Sequence, residues 1–105
     1  NYNPTFGNQS APITILAFVD FACPFCQQTY PEFKTVMTKY EPVIRVVFKY
    51  LPSESVHPQA NIAAESSACA QEQNKFWSYH NQLFIKKDFK HASLLTYAKD
   101  LNLNL

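Results

Sequence analysis

Cys23 and Cys26 stand in the stretch VDFACPFCQQTYPEF, residues 19–33, one helical turn apart where an apolar run gives way to a helical pattern. A thiol at the opening of a helix faces unpaired backbone N–H groups and the positive end of the helix dipole, both of which favour thiolate over thiol. Within a Cys-x-x-Cys motif that placement lowers a cysteine pKa from about 8.5 into the range ~3.5–7.5, making the sulfur a reactive nucleophile and a good leaving group. Cys23 is therefore the candidate nucleophile. Cys26, one turn deeper, is the thiol that resolves a mixed disulfide. Pro24 fixes φ and stiffens the short ring, and Phe25 brings neither a charge nor a hydrogen-bond donor, so the expected depression is smaller than with a histidine there.

Other uses of the pair compete with this one. Structural zinc takes four ligands, and beyond the pair the chain offers only Cys69, His57, His80 and His91, with no second close pair. A purely structural disulfide usually closes a longer loop than two intervening residues. Coincidental core cysteines would not need a strand-to-helix junction, which is where the redox motif belongs.

The elements that must hold this junction are readable from periodicity. Residues 1–12 lack a period and read as an extended lead-in. ITILAFV, residues 13–19, is apolar on both faces and predicts a central strand. Pro24 suits a first helical turn, and Phe33, Val36, Met37 and Tyr40 recur at helical spacing to define an amphipathic helix ending before Pro42. Pro31 lies inside it and predicts a kink about one turn beyond the cysteines. In VIRVVFKYL, residues 43–51, Ile44, Val46, Phe48 and Tyr50 alternate with Arg45 and Lys49 and predict a second strand. The intervening helical connection makes residues 13–51 a βαβ unit with parallel strands. Everything from residue 52 onward reads as helical: an Ala- and Ser-rich segment over 58–73, a segment over 75–87 with Phe76, Trp77, His80, Leu83 and Phe84 on one stripe, and a last helix capped by Ser93 with Leu94, Tyr97, Ala98 and Leu101 inward.

Bulk properties agree with one compact domain over residues 1–105: 47% of the residues are hydrophobic and 15% aromatic. At this size folding removes roughly 60–70% of the unfolded chain's surface from water, so a core forms with little margin. Nine basic and eight acidic residues are scattered to a net charge of +1, which leaves no basic face for nucleic acid. No apolar run approaches the ~20 residues of a membrane span. With one glycine and seven prolines, turns must rely on Pro, Asn, Asp and Ser.

The residues DFACPFCQQTYPEF resemble the thioredoxin superfamily, and specifically its DsbA-like thiol:disulfide oxidoreductases. The lead-in GNQSAPITILAFVDF, the proline five residues after the second cysteine, the strand VIRVVFKYLP, and the segments HPQANIAAESSACAQEQNKFWSYHNQLF and LLTYAKDLNLN extend the resemblance over nearly the whole chain. It implies an α/β fold, a thioredoxin-like βαβ core with an all-helical insertion over residues 52–105. The family's fold continues with a cis-proline loop, a β-hairpin and a last helix, which LLTYAKDLNLNL does not supply, so a truncated copy is expected, with one edge of strand 13–19 unpaired and pairing or strand swapping with another chain to cover it.

Carried over by position, Cys23 attacks and Cys26 resolves, with Pro24 and Phe25 tuning them. Asp20 and Lys49 are candidates for assisting proton transfer, with a solvated role open for each, while Ala17 stands where many relatives place a buried acid. Cys69 corresponds to half of a structural bridge whose partner is absent here; the alternative is a small buried hydrophobe on the face of Ile62. His57 is a loop residue able to approach the motif or to cap a helix, and His80 reads as a core histidine. The resemblance implies disulfide exchange with thiol-containing exported proteins, in the oxidising direction, outside the cytoplasm, without a cofactor or metal, and with a membrane quinone-linked protein as reoxidant. A non-catalytic binding or assembly module is the alternative function.

Overall fold

The computed structural model describes residues 3–51 and 59–104. Within them a three-stranded sheet is covered on one face by helices. Strand β1 (Thr5–Gly7) pairs antiparallel with β3 (Ile44–Tyr50), and β2 (Ile13–Val19) pairs with β3 in parallel, in the order β1-β3-β2. Helix α1 (Pro24–Lys39) connects β2 to β3 through a 3-10 turn, Glu41–Val43, and α2 (Ala60–Glu72), α3 (Phe76–Lys86) and α4 (His91–Asp100) follow. The fold is the expected α/β thioredoxin-like one.

Alternation along the strands decides what meets what. Ile44, Val46 and Phe48 on β3 and Ile15, Ala17 and Val19 on β2 face the helices. Two apolar clusters form there, one around Phe21, Phe48, Leu83 and Phe84, the other around Met37, Ile44 and Val46. The side chains of alternate parity, Leu16 and Phe18 among them, belong to neither cluster and are 54% and 56% exposed.

Polar bonds fasten the helices at their apolar seams. Tyr30 Oη donates to Asn81 Oδ1 at 2.8 Å, joining α1 to α3, and Trp77 Nε1 donates to the Thr5 carbonyl at 2.9 Å, joining α3 to β1. Ser67 Oγ meets Tyr50 Oη at 2.9 Å, joining α2 to β3. The Tyr30 and Ser67 bonds are partly buried and satisfy groups that would otherwise cost about 1–3 kcal/mol.

The structure corrects several expectations. β3, not β2, is the central strand: among the described residues β2 pairs only with β3, because an apolar pattern reports burial and not strand order. The lead-in contains β1, too short to show a period. Helix α1 includes Pro31 within its span, and Tyr30, Phe33 and Met37 face inward, while Val36 and Tyr40, expected on that face, are exposed. Ser93 is not the cap of α4. Lys90 is the N-cap, and Asp88 organises the entry by accepting from Lys90 N–H at 3.1 Å and Ser93 Oγ at 2.8 Å. Those bonds hold the Asp88 carboxyl below the usual aspartate range.

Gly7 ends β1 with φ +93°, and a Cβ there would stand 2.5 Å from the Ile44 carbonyl oxygen. Both the backbone region and the space demand glycine. Gly7→Ala is expected to cost about 2 kcal/mol, read as a lower urea midpoint, with faster hydrogen exchange at Phe48, whose N–H donates to Pro4 O across the β1–β3 seam.

Candidate active site

Phe21, 1% exposed, sinks into the core directly after β2 and stacks on Phe48 at 5.5 Å and against Phe84 at 5.2 Å between ring centroids. The chain must then climb back to the surface within two residues, and it does so in a turn with few free polar groups. Ala22 N–H donates to Asp20 Oδ1 at 2.8 Å, Cys23 N–H to Asp20 O at 3.1 Å, and Gln27 Nε2 to Phe21 O at 2.9 Å. Cys23 emerges as the N-cap of α1 with extended backbone, φ −75° and ψ 121°, and Pro24 occupies the first turn, where no N–H is missed. No acidic residue stands in that first turn, while the Asp20 carboxylate lies in the turn that leads into it.

Both motif thiols are half-buried and all three cysteines are free. Burial pushes the Cys26 thiol above the usual cysteine range, the backbone of Asp20 hydrogen-bonds its sulfur and opposes that rise, and its own hydrogen bond to Cys23 adds to it. Phe25 lies on the surface, 70% exposed.

Beside the pair, between α1, α3 and β2, lies a cavity of about 410 Å³, lined by Cys26, Phe18, Phe25, Tyr30, Phe33 and His80 among others. His80 is buried among aromatic rings, with Trp77 at 5.0 Å and Phe84 at 5.1 Å, and its Nδ1 lies 3.1 Å from Asn81 Oδ1. As that oxygen accepts from Tyr30 Oη, it accepts from Nδ1–H as well, leaving Nε2 unprotonated. Burial pulls the His80 pKa down to about 4; the Asn81 bond opposes this and Lys34 adds to it.

The other sequence candidates fall out differently. Asp20 is buried, not solvated, and its carboxylate organises the turn before Cys23. Lys49 is in register with Phe18 and has the opposite parity to Phe48, so it projects from the other sheet face; the charged neighbours acting on Cys26 are Cys23 and Asp20, not Lys49. Cys69 is exposed rather than buried, in a separate cavity of about 470 Å³ with Tyr79, His91 and Leu94. His57 lies outside the described residues. Gln27 and Asn81 join the site without a distinguishing sequence signal beyond a glutamine directly after the second cysteine.

The family model described as Thioredoxin matches residues 1–104. The chain belongs to the thioredoxin family. Its fold superposes on the thiol-disulfide exchange protein alpha-DsbA2 from Wolbachia pipientis with a TM-score of 0.85 at 20% identity, covering 97% of this chain and 54% of that one. It likewise superposes on a periplasmic thioredoxin-like protein from Salmonella enterica serovar Typhimurium with a TM-score of 0.84 at 22% identity, covering 99% and 60%. Among curated relatives, the Na(+)/H(+) antiporter NhaA 3 of Salinispora tropica is 40% identical over 100 residues, 94% of this chain and 15% of the antiporter. This family member thus spans a little over half of each solved chain and a small part of the antiporter's length. No described helix is long and apolar enough to cross a membrane.

A histidine held neutral in the folded state makes stability depend on pH. The unfolded chain binds a proton near the ordinary histidine pKa of 6.5 while the folded chain binds it near 4, so the contribution is complete above the first value and lost as pH falls through the second. The loss is expected to total about 3 kcal/mol, read as a falling urea midpoint between pH 7 and pH 4. His80→Phe should flatten that slope.

Proposed function

We propose that the chain is a protein thiol:disulfide oxidoreductase working through Cys23 and Cys26, outside the cytoplasm and in the oxidising direction. One observation carries the reading: Cys23 stands at the N-cap of α1 with Cys26 one turn further along the same helix, both thiols free and half-buried. In the disulfide form, a substrate thiolate attacks the Cys23 sulfur, a substrate–Cys23 bond forms, and the Cys23–Cys26 bond breaks with the electron pair leaving on Cys26. Burial favours the protonated Cys26 thiol, which disfavours its return attack on the mixed disulfide in this direction. A second substrate thiolate attacks the substrate sulfur, and Cys23 leaves as a thiolate stabilised by the helix opening. The substrate is oxidised by two electrons and the pair reduced by two. Thiol-containing exported proteins suit this chemistry, and a membrane quinone-linked protein would reoxidise the pair.

A second reading is favoured by the antiporter relative: a binding or assembly domain associated with a membrane sodium–proton antiporter, in which the thiols do not turn over. One experiment separates the two. Oxidised chain is mixed with a peptide carrying two reduced cysteines, and peptide disulfide is followed. The oxidoreductase reading expects stoichiometric oxidation that Cys23→Ala abolishes and Cys69→Ala leaves unchanged, and it expects reduced Cys26→Ala to accumulate a mixed disulfide with an oxidised peptide. Failure of the unmodified chain to exchange would overturn it in favour of the second reading.

A further inference from the structure

The turn that presents Cys23 is tied to the helix that carries Cys26 by one side chain. Phe21 cannot move, its ring being enclosed by Phe48, Phe84 and His80, but its carbonyl lies at the base of the turn, where Gln27 Nε2 takes it at 2.9 Å. The Gln27 backbone N–H meanwhile donates to Cys23 O at 3.0 Å. One residue therefore grips the turn at two points, two residues before Cys23 and at Cys23 itself. The same turn carries the Asp20 backbone that bonds the Cys26 sulfur, so its position sets the surroundings of both thiols.

We propose that Gln27 is a positioning residue of the redox pair: its side-chain amide holds the Asp20–Cys23 turn in the arrangement that favours the dithiol form over the disulfide. The argument rests on the oxidoreductase reading and deepens it. The bond from Nε2 to Phe21 O joins elements that the Cys23–Cys26 disulfide also joins. In the disulfide form the covalent ring keeps the turn and the helix together without help. In the dithiol form that constraint is gone, and the Gln27 amide takes its place. Removing the amide therefore weakens the reduced state more than the oxidised one, and the pair becomes easier to oxidise. Gln28, next along the helix and exposed, is the natural reference position.

The test is the redox equilibrium of the full chain against mixtures of reduced and oxidised glutathione at pH 7. It compares the unmodified chain with Gln27→Met, which keeps length and helix propensity but cannot donate, and Gln28→Met as the control. A hydrogen bond of ordinary strength implies a shift of about three- to tenfold toward the disulfide in Gln27→Met, with Gln28→Met at the unmodified value. Thermal unfolding of the disulfide forms of Gln27→Met and the unmodified chain should coincide, a result a purely structural role would not produce. Gln27→Ala, uncharged and also without a donor, should shift the equilibrium in the same direction and covers the case in which methionine disturbs folding. Equilibria for both Gln27 variants within the scatter of the Gln28 control would overturn the proposal while leaving the oxidoreductase reading intact. No exchange between glutathione and the unmodified chain would overturn both.

Discussion

Phe21 is the constraint on which the site depends. Burying a phenylalanine ring is worth about 1.5–3 kcal/mol, and this one is enclosed on three sides by β3 and α3. It pins the chain at the C-terminal end of β2, and the distance from that anchor to the surface is two residues. A turn so short, hung from a fixed point, restricts where the opening of α1 can lie. Core packing thus sets the nucleophile's general location, and the polar groups of Asp20 and Gln27 hold the turn that hangs from it.

The helices after β3 supply the other half of the environment. α3 places His80, Leu83 and Phe84 behind Phe21 and against Tyr30, so the wall beside Cys26 is built by residues some fifty positions downstream in the chain. Asn81 Oδ1 receives both Tyr30 Oη and His80 Nδ1, and this double acceptance closes the seam between α1 and α3 at the level of the site. A protonated His80 would carry a second N–H into a wall of aromatic rings, and the histidine stays neutral for that reason. The two motif cysteines differ because only the inner one leans on this wall: Cys26 packs on the core while Cys23 caps the helix at the surface.

What the sequence disclosed follows a division between local and distant causes. The Cys23–Cys26 motif, the apolar run before it and the amphipathic helices are local patterns, and each lies within a few residues of its expected place. β1 escaped because three residues carry no period, and its reason to be extended is a partner about forty residues away. Strand order escaped because Ile, Leu, Phe and Val report apolar surroundings without saying whether a neighbouring strand or open surface provides them. Lys49, Asp20 and Cys69 had legible chemistry but illegible direction: alternation about Phe48, the turn before Cys23 and the outward face of α2 decide where each points. Gln27 is the plainest case, since nothing in QQ distinguishes the residue that grips Phe21 from its exposed neighbour.

The cavity beside Cys26 is walled by Ala17, Phe18 and Val19 from β2 and by Phe25, Cys26 and Phe33 from α1. Among the described residues β2 pairs along one edge only, with β3. An unpaired edge without a charged residue, carrying Leu16 and Phe18 more than half exposed, lacks the devices by which edge strands avoid pairing. A strand added there would lie along the β2 wall of that cavity.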